Sequence, residues 1–144
     1  MFTQKEALHM TTSNDFQANI LIADPDETLG ELLDVSLREF QHDVRIVRNG
    51  LEAFEILREE EFDLAIMEFA LPGNSALEIL TRLKKASIHV PHTMILSTGG
   101  TLETIHDCVE AGAQDFIVKP FKLPTLIKRI SVILARVGLE RQKR

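Results

Sequence analysis

The amino-acid sequence predicts an α/β domain, a five-stranded parallel sheet, doubly wound, with helices on both faces. Two observations carry that expectation. Short apolar runs, continuous rather than alternating, recur along the chain and each stops at a polar residue, as strands buried on both faces do. Between them lie segments whose apolar residues return at helical spacing. Strict alternation of the two patterns implies one parallel sheet with right-handed crossovers.

In chain order, Ile20-Leu21-Ile22-Ala23 reads as the first strand and stops at Asp24-Pro25-Asp26. Leu29, Leu32, Leu33, Leu37 and Phe40 mark a helix over 26–40, with Asp26 and Glu27 at the end where acids meet the positive helix terminus. Val44-Arg45-Ile46-Val47 is a strand, Asn49-Gly50 a break, and Ala53, Phe54 and Leu57 a helix. Leu64-Ala65-Ile66-Met67 is a strand running into Glu68; Pro72-Gly73-Asn74 turns the chain, and Ala76, Leu77, Leu80 and Leu83 follow at helical spacing. Thr93-Met94-Ile95-Leu96 is the fourth strand, ended by Ser97-Thr98-Gly99-Gly100. Leu102, Ile105 and Val109 give a helix closed by Gly112, Phe116-Ile117-Val118 the fifth strand, and Leu126, Ile130, Ile133, Leu134 and Val137 the last helix.

At 144 residues, 44% hydrophobic and 26% charged, the chain suits one globular domain able to bury a core without disulfides or a structural metal. Its lone cysteine, Cys108, excludes an internal disulfide and points to packing and a reducing, cytoplasmic setting. A net charge of −6 argues against non-specific nucleic-acid binding, and no apolar run approaches the roughly 18 residues that span a bilayer. Residues 1–18 are polar and read as an N-terminal extension, 19–138 as the domain, and 139–144, with Arg141, Lys143 and Arg144, as a basic tail.

Open parallel sheets place their sites outside the carboxyl ends of the strands. Asp24, Glu68, Ser97 and Lys119 are each the first polar residue after an apolar run there. Plainer roles exist for each. Asp24 and Asp26 suit helix caps, Ser97 a turn, Lys119 the surface and Phe116 the core. The five histidines show no metal spacing, and His89 and His92 read as surface-loop residues.

The same residues resemble the receiver domain of bacterial two-component response regulators. The likeness runs through Ile20-Leu21-Ile22-Ala23-Asp24, Asn49-Gly50-Leu51-Glu52-Ala53, Phe62-Asp63-Leu64-Ala65-Ile66-Met67-Glu68 with Leu71-Pro72-Gly73, and Ala111-Gly112-Ala113-Gln114-Asp115-Phe116-Ile117-Val118-Lys119-Pro120-Phe121. It implies a flavodoxin-like strand order of 2-1-3-4-5. It also implies a phosphoacceptor position at Glu68, an acidic Mg²⁺ pocket at Asp24, a hydroxyl switch at Ser97 or, one residue on, Thr98, and a moving aromatic at Phe116. Lys119 would grip the phosphoryl oxygens, with a cis bond to Pro120. A protein partner, a histidine kinase or a downstream target, would dock on the face of helix four, strand five and helix five.

Three departures alter that expectation. Glu68 stands where the family has Asp, and its extra methylene carries the carboxylate further into the site. Phosphoryl transfer is mostly positioning, where a displacement of about 1 Å costs roughly 10²-fold. The longer carboxylate is instead expected to reach Lys119 and Ser97, as a partial mimic with fewer oxygens and less charge than a phosphoryl group. Pro25 replaces a second acid, leaving Asp24, Asp26 and Glu68 as weak Mg²⁺ candidates and no cofactor expected. Thr98 narrows the approach to the acceptor.

The leading expectation is therefore a single-domain pseudo-receiver of phosphorelay signalling. It would be a binding module rather than an enzyme, phosphorylation-independent, acting by protein–protein docking or as a homodimer, without nucleic acid or membrane. The rivals are an active, Mg²⁺-dependent phosphoacceptor, using Glu68 or the distant Asp63, and a small nucleotide-binding α/β protein. The latter lacks the expected Gly-rich phosphate loop after strand one.

Overall fold

The computed structural model describes residues 16–142. Elements alternate strictly: β1 (Asn19–Ala23), α1 (Glu27–Glu39), β2 (Asp43–Val47), α2 (Gly50–Glu59), β3 (Leu64–Glu68), α3 (Ala76–Lys85), β4 (His92–Ser97), α4 (Leu102–Glu110), β5 (Asp115–Val118) and α5 (Leu123–Gln142). The strands form one sheet in the order β2-β1-β3-β4-β5, every neighbouring pair parallel. This is the flavodoxin-like arrangement expected from the sequence.

Strand side chains alternate between faces, so the continuous apolar runs feed two cores. Ile20, Ile22, Leu64, Ile66, Met94 and Leu96 point to the face covered by α1 and α5. Leu21, Ala23, Ala65, Met67 and Ile95 point to the face covered by α2, α3 and α4. All eleven are fully buried. Helix starts are set locally: Asp26, Asn49, Ser75 and Thr101 each accept a hydrogen bond from the backbone N–H three residues on. Caps of this kind contribute about 1 kcal/mol each.

Three boundaries and faces differ from the sequence reading. In α4, Leu102 and Val109 are exposed, at 86% and 56%, and the residue that packs inward is Cys108. The helix sits against its neighbours along the Cys108 and Ala111 side, so its apolar stripe faces outward. The last helix continues through 139–142 instead of ending in a tail. Arg141 holds it down by pairing with Asp63 (3.3 Å) and lying over the Phe16 ring (5.3 Å); residues 143–144 lie outside the described residues. Of the expected extension, 16–18 are part of the fold. Phe16 packs on Gly138 and Ala18 is fully buried, its N–H donating to His42 Nδ1 (3.1 Å); residues 1–15 lie outside the described residues.

Two histidines also take more structured roles than expected. His92 opens β4 and bonds Asp115 (3.0 Å), which pairs with Arg129 as well (3.1 Å), and His42 is buried. His89 is exposed, as read.

The β3–α3 loop is braced against α2 at Gly50. Gly50 N–H donates to Pro72 O (2.8 Å), and a Cβ on Gly50 would lie 2.2 Å from Asn74 O and 2.7 Å from Asn74 N. Gly73 completes the loop with φ +91°, the left-handed region that favours glycine. Since the added methyl would meet the Asn74 backbone and its Cβ, neither of which can swing away, Gly50→Ala is expected to destabilise the fold by about 1–3 kcal/mol. Gly99→Ala, whose methyl would meet nothing within 4 Å, is expected to stay within about 0.5 kcal/mol of the parent. Urea unfolding of the two variants checks the contrast; equal midpoints would show that the loop yields freely.

Candidate functional site

Sheet register brings the candidate residues together. Asp24 directly follows β1, Glu68 and Ser97 end β3 and β4, and Lys119 follows β5. Backbone bonds carry the ladder one step past the strands: Asp24 N–H to Val47 O (3.1 Å), Phe69 N–H to Leu96 O (2.7 Å) and Lys119 N–H to Ser97 O (2.6 Å). The four side chains are thus held at one edge of the sheet by the most rigid part of the fold.

At the centre, Lys119 Nζ donates to Asp24 Oδ2 (3.0 Å) and to Glu68 Oε1 (2.8 Å). Asp24 is 1% exposed, Glu68 7%. The outer carboxylate oxygens are also taken. Asp26 N–H donates to Asp24 Oδ1 (2.9 Å) and Ala70 N–H to Glu68 Oε2 (2.8 Å). Burial works to lower the lysine's pKa; the hydrogen bonds it donates to Glu68 and then Asp24, with both negative charges, more than offset it and hold it above the ordinary lysine value.

The other expected residues divide. Asp26 does not join the carboxylates: it is exposed, and its Oδ1 accepts Leu29 N–H (3.1 Å) to cap α1. Ser97 is buried but does not meet Glu68; its hydroxyl donates to Gly99 O and accepts Gly99 N–H (3.3 Å). Thr98 is exposed, so the hydroxyl at the strand end is Ser97. Phe116 is half-buried, packed against the α2–α4 core with its ring tip close beneath Gly100. The Lys119–Pro120 bond is cis. Asp63 lies at the opposite end of β3, where it accepts Asn19 N–H (2.8 Å) and pairs with Arg141. Sequence reasoning did not find the roles of the Asp26 and Ala70 amides, since backbone donors leave no residue-type signal.

Mg²⁺ needs several oxygens in near-octahedral geometry at about 2.0–2.1 Å. Here both carboxylates are committed to Lys119 and to backbone amides, Pro25 offers no oxygen from its side chain, and Asp26 is engaged on its helix. Among the described residues, no group of three or more His, Cys, Asp or Glu is placed to hold a metal ion. The residues present do not fit the Mg²⁺ site that the resemblance implies.

Comparison with known proteins agrees with this geometry at the level of the family. Residues 20–131 match the model of the response regulator receiver domain, and the chain belongs to that family. It is 32% identical over 117 residues to the DNA-binding response regulator MtrA of Mycolicibacterium paratuberculosis, an alignment covering 81% of this chain and 51% of that protein. It is 34% identical over 114 residues to the response regulator protein PilR of Pseudomonas aeruginosa, covering 79% and 25%. The chain thus spans about half the length of MtrA and a quarter of that of PilR. A CheY-like response regulator receiver domain from Methanospirillum hungatei superposes with a TM-score of 0.77 at 24% identity, covering 87% of this chain and 99% of that one, a likeness of fold. No helix among the described residues is long and apolar enough to cross a membrane.

A lysine whose pKa is raised in the folded state contributes stability that is complete below its unfolded value, about 10.4, and lost as pH rises through the folded one. Removing one partner of a fully buried ion pair costs about 3–5 kcal/mol. Lys119 keeps 18% of its side chain exposed, so Lys119→Met is expected to cost somewhat less. The difference between parent and variant, followed by urea unfolding from neutral to alkaline pH, is expected to hold until the ordinary lysine range and to shrink above it. A difference that is absent at neutral pH would remove Lys119 from the stabilising contact.

Proposed function

We propose that this receiver domain signals by protein–protein docking, with its site set by Glu68 rather than by an accepted phosphoryl group. The observation that supports this reading is the state of the Glu68 carboxylate. One oxygen is held by Lys119 and the other by the Ala70 amide, in a side chain that is 10% exposed. A nucleophile for in-line phosphoryl transfer needs a free, well-placed oxygen and charge stabilisation on the incoming phosphorus. Here the oxygens are held, and the residues do not fit the usual divalent ion.

As a phosphoryl mimic Glu68 is partial. It engages the lysine, while Ser97 remains on Gly99. The reading is therefore a site set through its lysine arm alone. The docking partner is a histidine kinase or a downstream target, met on α4, β5 and α5. In support, Leu102 and Val109 of α4 and Val118 of the edge strand β5 are exposed apolar side chains, as an interface core requires. The module carries out no chemistry itself under this reading, and it needs neither nucleic acid nor membrane. Cytoplasmic placement follows from such partners.

Incubation with acetyl phosphate and Mg²⁺, read by intact mass, is expected to leave the chain without a phosphoryl adduct. Glu68→Asp shortens the side chain and frees the site, and is expected to gain at least a trace of adduct if Pro25 is not itself limiting. A phosphoryl group mapped to Glu68 of the parent would overturn the docking reading in favour of an active phosphoacceptor.

A further inference from the structure

The geometry points to Lys119 as the resident cation of the acidic pocket: its ammonium takes the charge-balancing place of a divalent metal, so the pocket is assembled without one. This deepens the proposed function and rests on the same reading of the pocket as a receiver site.

The case begins at Pro25. Proline supplies no side-chain oxygen, and its fixed φ suits the middle of a tight turn. Across it, Asp24 Oδ1 accepts the Asp26 N–H (2.9 Å), so the substitution that removes a metal ligand also occupies the outer oxygen of the remaining one. Asp26 in turn is spent on capping α1. Two buried carboxylates are left, each with one oxygen turned to the same point, and Lys119 Nζ lies there at 3.0 and 2.8 Å. Those are hydrogen-bond distances and not metal–oxygen distances.

Charge counting explains why a cation is needed. Asp24 and Glu68 bring two carboxylates to a site that is nearly closed to water, where their mutual repulsion is offset by a cation placed between them. Lys119 brings +1. Because it is tethered by the chain, it competes for those oxygens as an intramolecular group, without the entropy that a free ion loses. The extra methylene of Glu68 carries its carboxylate further toward the ammonium, and the Ala70 amide holds the far oxygen so that the near one faces it. The regulatory consequence is that the pocket, and the docking state it supports, does not follow the Mg²⁺ concentration.

The test is thermal unfolding of the full chain in EDTA and in MgCl₂ at matched ionic strength, for the parent, Lys119→Met, and Lys119→Met combined with Glu68→Gln. The parent is expected to melt at the same temperature in both buffers. Lys119→Met is expected to melt lower in EDTA, by on the order of 10 °C, and to recover part of that loss in MgCl₂, because the vacated point now accepts a cation. The double variant is expected to regain most of the loss without metal and to ignore MgCl₂, since one buried charge has been removed. Should Lys119→Met not fold in EDTA, its folding in MgCl₂ or with Glu68→Gln is read in the same way. Stabilisation of the parent by Mg²⁺ would overturn the inference, as would a low-melting Lys119→Met that gains nothing from Mg²⁺ or from Glu68→Gln. A phosphoryl adduct on Glu68 would instead defeat the docking reading, and is seen by mass and not by melting.

Discussion

The whole site depends on the sheet register. Five parallel strands deliver their carboxyl ends to one edge, and backbone bonds continue the ladder through Asp24, Phe69 and Lys119. A functional side chain placed one residue earlier would point into one of the two hydrophobic cores; one placed later would sit on a loop. Because alternate residues of β1, β3 and β4 are fully buried on both faces, a slip by one residue would exchange the two cores, a cost that holds the register fixed. The rigidity of the pocket is inherited from that packing, and its charged groups need contribute little to their own placement.

On that platform the contacts of the pocket turn on two residues, Glu68 and Pro25. A longer acid at the end of β3 extends toward the lysine after β5, and a proline after β1 turns the remaining acid's outer oxygen onto backbone. An aspartate at position 68 would reach less far toward Lys119, and a second acid in place of Pro25 would add negative charge to a pocket that holds one ammonium. With both, every carboxylate oxygen in the pocket has a donor. Buried ion pairs are often neutral in net stability.

Much of this was legible in the sequence. Strands buried on both faces announce themselves as continuous apolar runs, and the polar residue that ends each run marks the site, which is how Asp24, Glu68, Ser97 and Lys119 were found. The approach of Glu68 to Lys119 followed from the resemblance and the extra methylene, while the expected approach to Ser97 did not occur, because that hydroxyl is held by Gly99. What failed had physical causes. Helical spacing in α4 marked the helix by Leu102, Ile105 and Val109 without saying whether a neighbour covers that stripe; Leu102 and Val109 are exposed, and Cys108 is packed, as read. Asp26 was grouped with Asp24 by proximity, yet the turn at Pro25 sends its side chain to the helix terminus. The end of α5 was placed too early because the contact that holds it, Arg141 with Asp63 and Phe16, joins residues far apart in the chain.

The position of Ser97 bears on what a glutamate can do in such a site. In a phosphorylated receiver one group with three terminal oxygens would be gripped by the lysine and the hydroxyl at once. A carboxylate has two oxygens, and here one is drawn back to the Ala70 amide, so only one faces the pocket. That oxygen goes to the charged donor, because a charge-assisted hydrogen bond is the stronger of the two on offer. Ser97 then satisfies itself locally on Gly99, and Phe116 stays half-buried beside Gly100. The lysine contact and the hydroxyl contact are in this way separate: Glu68 holds Lys119, while Ser97 stays within the β4–α4 loop on Gly99.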